Sequence, residues 1–284
     1  MSASPTLDPS VAARVDALAS ELVARSGPDT PGGTPVLSVW LGDLDGGVHL
    51  SREADEPHYA ASTMKLPLLV AAHRLHERGD LDLDHEVPVH NRFASASDGS
   101  PFSLDQGDDQ DDDTWAAVGH ERPLRTLVEH MTVKSGNLAT NLVLERVGAG
   151  AVADVLVDAG ASAATVLPRG IEDAMAREAG LDNLVTAEDL GAVLRGVGPD
   201  VEAVLARQEH RGSIPAGLPE GTYVANKTGW VDGITHDVAL VRPDGRPPYV
   251  LVVLTTVDVQ EEVAAAFIAD VSRVVWEGWE GSDR

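Results

Sequence analysis

Ser62 and Lys65 stand three residues apart in the stretch "STMK", at the start of a segment whose apolar spacing is helical. That spacing puts both side chains on one face near a helix N-terminus. A serine hydroxyl is a weak nucleophile until a neighbour takes its proton, and a buried lysine beside another cation releases its own proton readily enough to serve as that neighbour. Arginine does not fit the task, because it stays protonated in proteins. The helix end also turns free N–H groups and a positive dipole toward any oxyanion formed there. Lysine is scarce in the chain: Lys65, Lys134 and Lys227 are the three among 21 basic residues. The bias toward arginine and acid suits a high-salt or high-GC source and by itself implies no function.

Two further stretches bear on the same chemistry. In "KSGN", residues 134–137, Ser135 and Asn137 precede a strongly helical run, and Ser135 is expected to cap that helix; "KTG", residues 227–229, falls at the end of a predicted strand. Taken in order, "STMK", "SGN" and "KTG" resemble the three signatures of class A serine β-lactamases and penicillin-binding proteins. The resemblance runs from the first predicted hairpin to the last helix. It implies acyl-serine chemistry without a metal or organic cofactor, on a small-molecule amide, lactam or ester. Ser62 would be the nucleophile and Lys65 its proton acceptor, while Ser135 would relay a proton to the leaving nitrogen. Asn137 would hold the substrate's side-chain amide, Lys227 would supply positive potential, and Thr228 would bind the substrate carboxylate. Gly229 would let the strand edge approach, and the N–H of Trp230 would join that of Ser62 in an oxyanion hole. Two lysines aimed at one pocket would lower each other's proton affinity. Lys134 has no assignable duty and reads as a solvent-exposed lysine beside the site.

Two departures from the family pattern stand out. Gly136 occupies a position where many members carry Asp, which removes a carboxylate from the loop. Class A enzymes also carry Glu-x-x-Leu-Asn in a loop bracketed by Arg and Asp, whose Glu activates the deacylating water. Here the region reads "LPRGIEDAMAREAGLDNLVTAEDL", in which Arg169 and Asp182 would be the bracketing pair and no such segment stands between them. Glu172 and Glu178 are the candidates for the base, and Glu172 is preferred. Without a well-placed base, acylation would proceed and hydrolysis of the acyl-enzyme would be slow.

Around these residues the elements are legible. A helix is expected over 9–26, then strands near 36–42 and 47–52 around "DLDGG", and a helix from Ser62 to about Arg78 closed by Gly79. Helical segments dominate to about residue 208. Strands return in "TYVANKTG", "ITHDVALVR" and "PYVLVVLTT", and a last helix runs from about Gln260 to Trp279. The pattern predicts an α+β fold. Its α/β lobe, residues 1–61 and 209–284, holds a five-stranded antiparallel sheet flanked by the terminal helices, and residues 62–208 form an all-helical lobe. Residues 105–113 contain six aspartates. They read as a solvated surface loop, since their spacing fits no EF-hand.

Composition excludes several classes of function. A net charge of −25 argues against nucleic acid and anionic membrane as partners, and no window is apolar enough to suggest a membrane span. With no cysteine, disulfides, thiolate metal sites and a Cys nucleophile are out. "GASAA" lacks the preceding strand of a nucleophile elbow, the histidines lack metal-ligand spacing, and His236 is assigned a structural or rim role. No secretory signal is recognisable at the N-terminus, so the chain reads as cytoplasmic, or as secreted if a leader has been removed. The expected function is β-lactam hydrolysis through an acyl-enzyme on Ser62. The alternatives are a peptidase, esterase or acyltransferase of the same fold with slow deacylation, or a catalytically silent ligand-binding protein.

Overall fold

The computed structural model describes residues 5–280. Helix α1 (Ser10–Val23) buries Val11, Val15, Ala19 and Leu22, the stripe that a 3.6-residue period requires. Strands β1 (Val36–Asp43) and β2 (Val48–Arg52) follow as a hairpin. Its turn is held by Asp43, whose Oδ1 accepts from the N–H groups of Asp45 and Gly47.

Helix α2 spans Lys65–Arg78 and ends at Gly79, whose φ of 78° is the left-handed closure expected there. Its start differs from the sequence expectation of one helix from Ser62. A 3₁₀ turn covers Ala61–Met64, and the α-helix begins at Lys65. The tighter turn lets Thr63 N–H bond back to Ala60 O, and Ser62 makes no capping hydrogen bond, so the hydroxyl is not spent on helix closure.

Helices α3 (Leu124–Val133), α4 (Asn137–Val147), α5 (Ala149–Asp158), α6 (Ala187–Arg195) and α7 (Pro199–Leu205) pack around α2. The chain then returns as β3 (Tyr223–Val231), β4 (Ile234–Arg242) and β5 (Tyr249–Thr256), and ends in α8 (Glu261–Gly278). The five strands form one antiparallel sheet in the order β3-β4-β5-β1-β2.

The sheet is covered on both faces. Val39, Leu41, Leu251 and Val253 face the terminal helices with Val271 and Val275, whereas Trp40, Val250, Val252 and Leu254 face the helical lobe with Leu66 and Leu69. Every residue of β5 is buried, which explains its unbroken apolar run. β3 is an edge strand, so half of its backbone polar groups look outward to the 61–64 turn and the space beside it. Among the described residues no helix is long and apolar enough to cross a membrane.

Candidate active site

Two lysines converge on one hydroxyl. Lys65, in the first turn of α2, and Lys227, on β3, are both fully buried. Nζ of Lys65 lies 3.3 Å from Ser135 Oγ and donates to Asn137 Oδ1 at 3.0 Å and to the Ser135 carbonyl. Lys227 donates to Ser135 Oγ at 3.1 Å and to Thr228 O at 2.9 Å. Burial is the first cause that pulls Lys65 well below the ordinary lysine value. The charge of Lys227 adds to it, and Asp109 and Asp111 oppose. Burial also brings Lys227 down to about 7, against the pull of Asp237. An amine in such surroundings gives up its proton more readily than an exposed lysine and so can accept one from a neighbour. Ser135 sits at φ 63°, a left-handed conformation uncommon for a side-chain-bearing residue.

Ser62 lies on the wall of a cleft of ≈ 660 Å³ that Tyr59, Asn137, Glu172, Arg177 and Trp230 also line. Among the described residues Ser62 Oγ has no hydrogen-bond partner, because Lys65 Nζ is engaged with Ser135 and Asn137; such contacts commonly tighten only when substrate arrives. Gly229 brings β3 against the nucleophile's turn. A Cβ at 229 would stand 2.7 Å from Ser62 N and 2.8 Å from Thr63 N, so no larger residue fits that approach. Trp230 packs edge-on against His210, ring centres 4.7 Å apart. Thr228 pairs with Asp237 across the ladder, and its Oγ1 is buried without a partner.

The far side of the cleft is the loop from Arg169 to Asp182. Arg169, 3% exposed, pairs with Asp182 at 2.6 Å and donates to Leu181 O at 3.0 Å. Asn141 of α4 pins the loop further, accepting from Ile171 N–H at 2.8 Å and donating to Ile171 O at 2.9 Å. Glu172 follows at φ 60°. Its Oε2 accepts from Asp105 N–H at 2.8 Å, while its Oε1 is buried with no partner. Burial raises its pKa, and the nearby charges of Asp108, Asp105 and Asp109 add to the effect. Glu178, the other candidate, is exposed and does not line the cleft.

The sequence profile of the β-lactamase enzyme family matches residues 20–279. The chain belongs to that family. A curated relative, β-lactamase Toho-2 of Escherichia coli, is 36% identical over 119 residues, a match spanning 40% of each chain. Among solved structures, a β-lactamase from Xanthomonas campestris pv. campestris superposes with a TM-score of 0.76 at 20% identity, covering 94% of this chain and 98% of that one. An ancestral class A β-lactamase gives 0.75 at 24% identity, covering 94% and 99%. These two likenesses bear out the α+β fold with its five-stranded antiparallel sheet.

Against the family pattern, the most informative position is Gly136. The carboxylate missing there comes from the aspartate-rich loop. Asp109 accepts from the N–H groups of Asn137 and Leu138, each at 2.8 Å, and from Trp115 Nε1 at 2.8 Å. Asp111 is 1% exposed; it accepts from His130 Nδ1 at 3.0 Å and from the Thr114 hydroxyl. A Cβ on Gly136 would meet Asp111 Cβ at 2.8 Å. The reading of residues 105–113 as a merely solvated loop is therefore corrected, since two of the six aspartates are bonded into the site's framework. Ser135 does not cap α4 as expected, because its hydroxyl faces the lysines and Asp109 does the capping. Lys134 is not a free surface lysine but is paired with Asp113 and, at 3.6 Å, with Asp111.

His236 holds the nucleophile's turn from behind. Thr255 N–H donates to its Nδ1 at 3.1 Å, so its Nε2 carries the proton and donates to Tyr59 O at 3.0 Å. Burial pushes its pKa down to about 4. Next to it His58 is held at about 3 by burial and by His236. The structural role expected for His236 from sequence is the one its contacts describe.

Proposed function

We propose that the protein is a serine β-lactamase that hydrolyses β-lactams through an acyl-enzyme on Ser62. The observation that carries this reading is the pairing of two buried lysines on Ser135 Oγ with a carboxylate, Glu172, that keeps one buried oxygen unpartnered and lines the same cleft as Ser62. The first half serves acylation and the second serves hydrolysis.

In the first step neutral Lys65 takes the Ser62 hydroxyl proton, and Oγ attacks the lactam carbonyl carbon. The N–H groups of Ser62 and Trp230 would bear the oxyanion charge. As the carbonyl C–N bond breaks, Lys65 returns its proton through Ser135 Oγ to the departing nitrogen, leaving an ester on Ser62. In the second step Glu172 takes a proton from water, the water oxygen attacks the ester carbonyl, and Ser62 leaves with a proton restored. Lys227 and Thr228 would attract the substrate carboxylate, and Asn137 would hold the side-chain amide.

The test follows adduct mass and turnover with a fluorescent penicillin and a chromogenic cephalosporin. Turnover without a lasting adduct is expected of the wild type, and neither adduct nor turnover of Ser62→Ala. A persistent wild-type adduct would assign the protein to the slow-deacylating alternative, and full activity in Ser62→Ala would refute the mechanism.

A further inference from the structure

We propose that Asp109 is a positioning residue for both chemical steps: its carboxylate holds the Asn137 end of α4, and the loop that carries it holds Glu172. The proposal rests on the β-lactamase reading of the site for its catalytic consequence.

Helix α4 starts directly after Gly136, which has no side chain to cap it, so the free N–H groups of its first turn need an acceptor from elsewhere. Asp109 provides it with both oxygens, Oδ1 to Asn137 N–H and Oδ2 to Leu138 N–H. The carboxylate is itself locked by Trp115 Nε1 and by the Gln110 N–H. Asn137 gains a second tie to the same loop, donating from Nδ2 to Asp108 O at 3.1 Å. Its Oδ1 is thereby turned to Lys65 Nζ. Four residues before Asp109, the N–H of Asp105 holds Glu172 Oε2. One loop thus fixes the floor used in acylation and the carboxylate used in hydrolysis.

The negative charge of Asp109 has its own effect. Lys65 is faced by Lys227 on β3 and by Asp109 and Asp111 of the loop, and the two aspartates raise its proton affinity. Glu172 is faced by Asp105, Asp108 and Asp109, whose charges raise its own while the Asp105 N–H bond lowers it. Removing the Asp109 charge therefore shifts both groups in one direction, toward losing their protons at lower pH. A purely structural tie would not do this.

Asp109→Asn and Asp109→Ala test the proposal, with Asp112→Asn as a control that removes a charge from the same loop without a bond to α4. Measured against the wild type by stopped-flow with the chromogenic cephalosporin, acylation by both Asp109 variants is expected to fall at least tenfold. In Asp109→Asn the acid limbs of acylation and deacylation should move to lower pH. Amide hydrogen exchange at Asn137 and Leu138 should quicken at least tenfold in Asp109→Ala, while Asp112→Asn matches the wild type throughout. If Asp109→Ala does not fold, Asp109→Asn, which keeps an acceptor oxygen, carries the exchange measurement as well. Wild-type rates, pH limbs and exchange in the Asp109 variants would overturn the proposal, as would equal changes in Asp112→Asn. Should the wild type form no adduct at all, the β-lactamase reading fails, and the exchange rates still decide whether Asp109 holds α4.

Discussion

Lys227 donates from Nζ to Ser135 Oγ at 3.1 Å, joining residues 92 apart in the chain. Because Lys65 lies 3.3 Å from the same oxygen, the two amines share this hydroxyl, which lines the cleft. Ser135→Gly separates the chemistry from the fold: glycine takes a φ of 63° at no steric cost, so the melting temperature should stay within a few degrees of the wild type. Acylation should fall by about 10²–10⁴, the usual worth of a placed proton-transfer group. A burst of acylation at the wild-type rate would remove Ser135 from the relay.

Lys65→Arg should abolish acylation, since a guanidinium cannot take the Ser62 proton. The wild-type acylation rate should climb with pH through the depressed pKa of Lys65 and be fully developed well below the ordinary lysine value of 10.5. A pH–rate profile that rises only toward 10 would show that Lys65 is not the base.

Glu172→Gln should leave acylation near the wild-type rate and slow deacylation by about 10²–10⁴, so that mass spectrometry finds the adduct accumulating on Ser62. In the wild type, deacylation requires ionised Glu172, whose pKa is raised above 4.5. The acid limb of deacylation should therefore sit above that value. Normal deacylation in the variant would assign the water-activating role elsewhere.

Gly136→Asp restores the residue that many family members carry, yet it should destabilise this chain. Its Cβ would stand 2.8 Å from Asp111 Cβ and 2.9 Å from Asp111 Oδ2, and overpacking of this kind costs about 1–3 kcal/mol. Chemical denaturation of Gly136→Asp, Asp111→Gly and the double variant should show losses smaller than additive, because the second change removes every side-chain atom of the clash, Cβ included. Strict additivity would contradict the steric account.

The buried histidines should make the fold sensitive to acid. His58 and His236 hold their folded pKa values at about 3 and about 4, against 6.5, so the unfolded chain binds more protons than the folded one between those limits. Stability is lost as pH falls through that window. Asp237, raised to about 6 from 3.8, acts in the opposite sense, and with two histidines against one carboxyl the net change is a loss. Denaturation midpoints at pH 7 and pH 4.5 should differ less in His236→Asn than in the wild type; equal differences would rule His236 out as a source.

Much of the site was legible before any folding was considered. Ser62 with Lys65, and Lys227 with Thr228 and Gly229, are short-range patterns whose residue types are dictated by what the chemistry asks of them, and periods of two and 3.6 residues located the sheet strands and helices that carry them. Local pattern placed α2 three residues early, because periodicity does not distinguish a 3₁₀ turn from the first turn of an α-helix. Glu172 is preferred from the sequence without a physical ground to separate it from Glu178, and the tertiary structure supplied that ground by placing Glu172 in the cleft. Glu172 and Glu178 are alike as sequence, and the Asn141 and Arg169 bonds that shape the loop turn one inward and leave the other in solvent. It also decided what replaces the carboxylate absent at Gly136. Asp109 reaches the amide of Asn137 across 28 residues, and nothing in a run of aspartates indicates which of them will meet a helix end, since that depends on how the loop packs and not on any spacing within it.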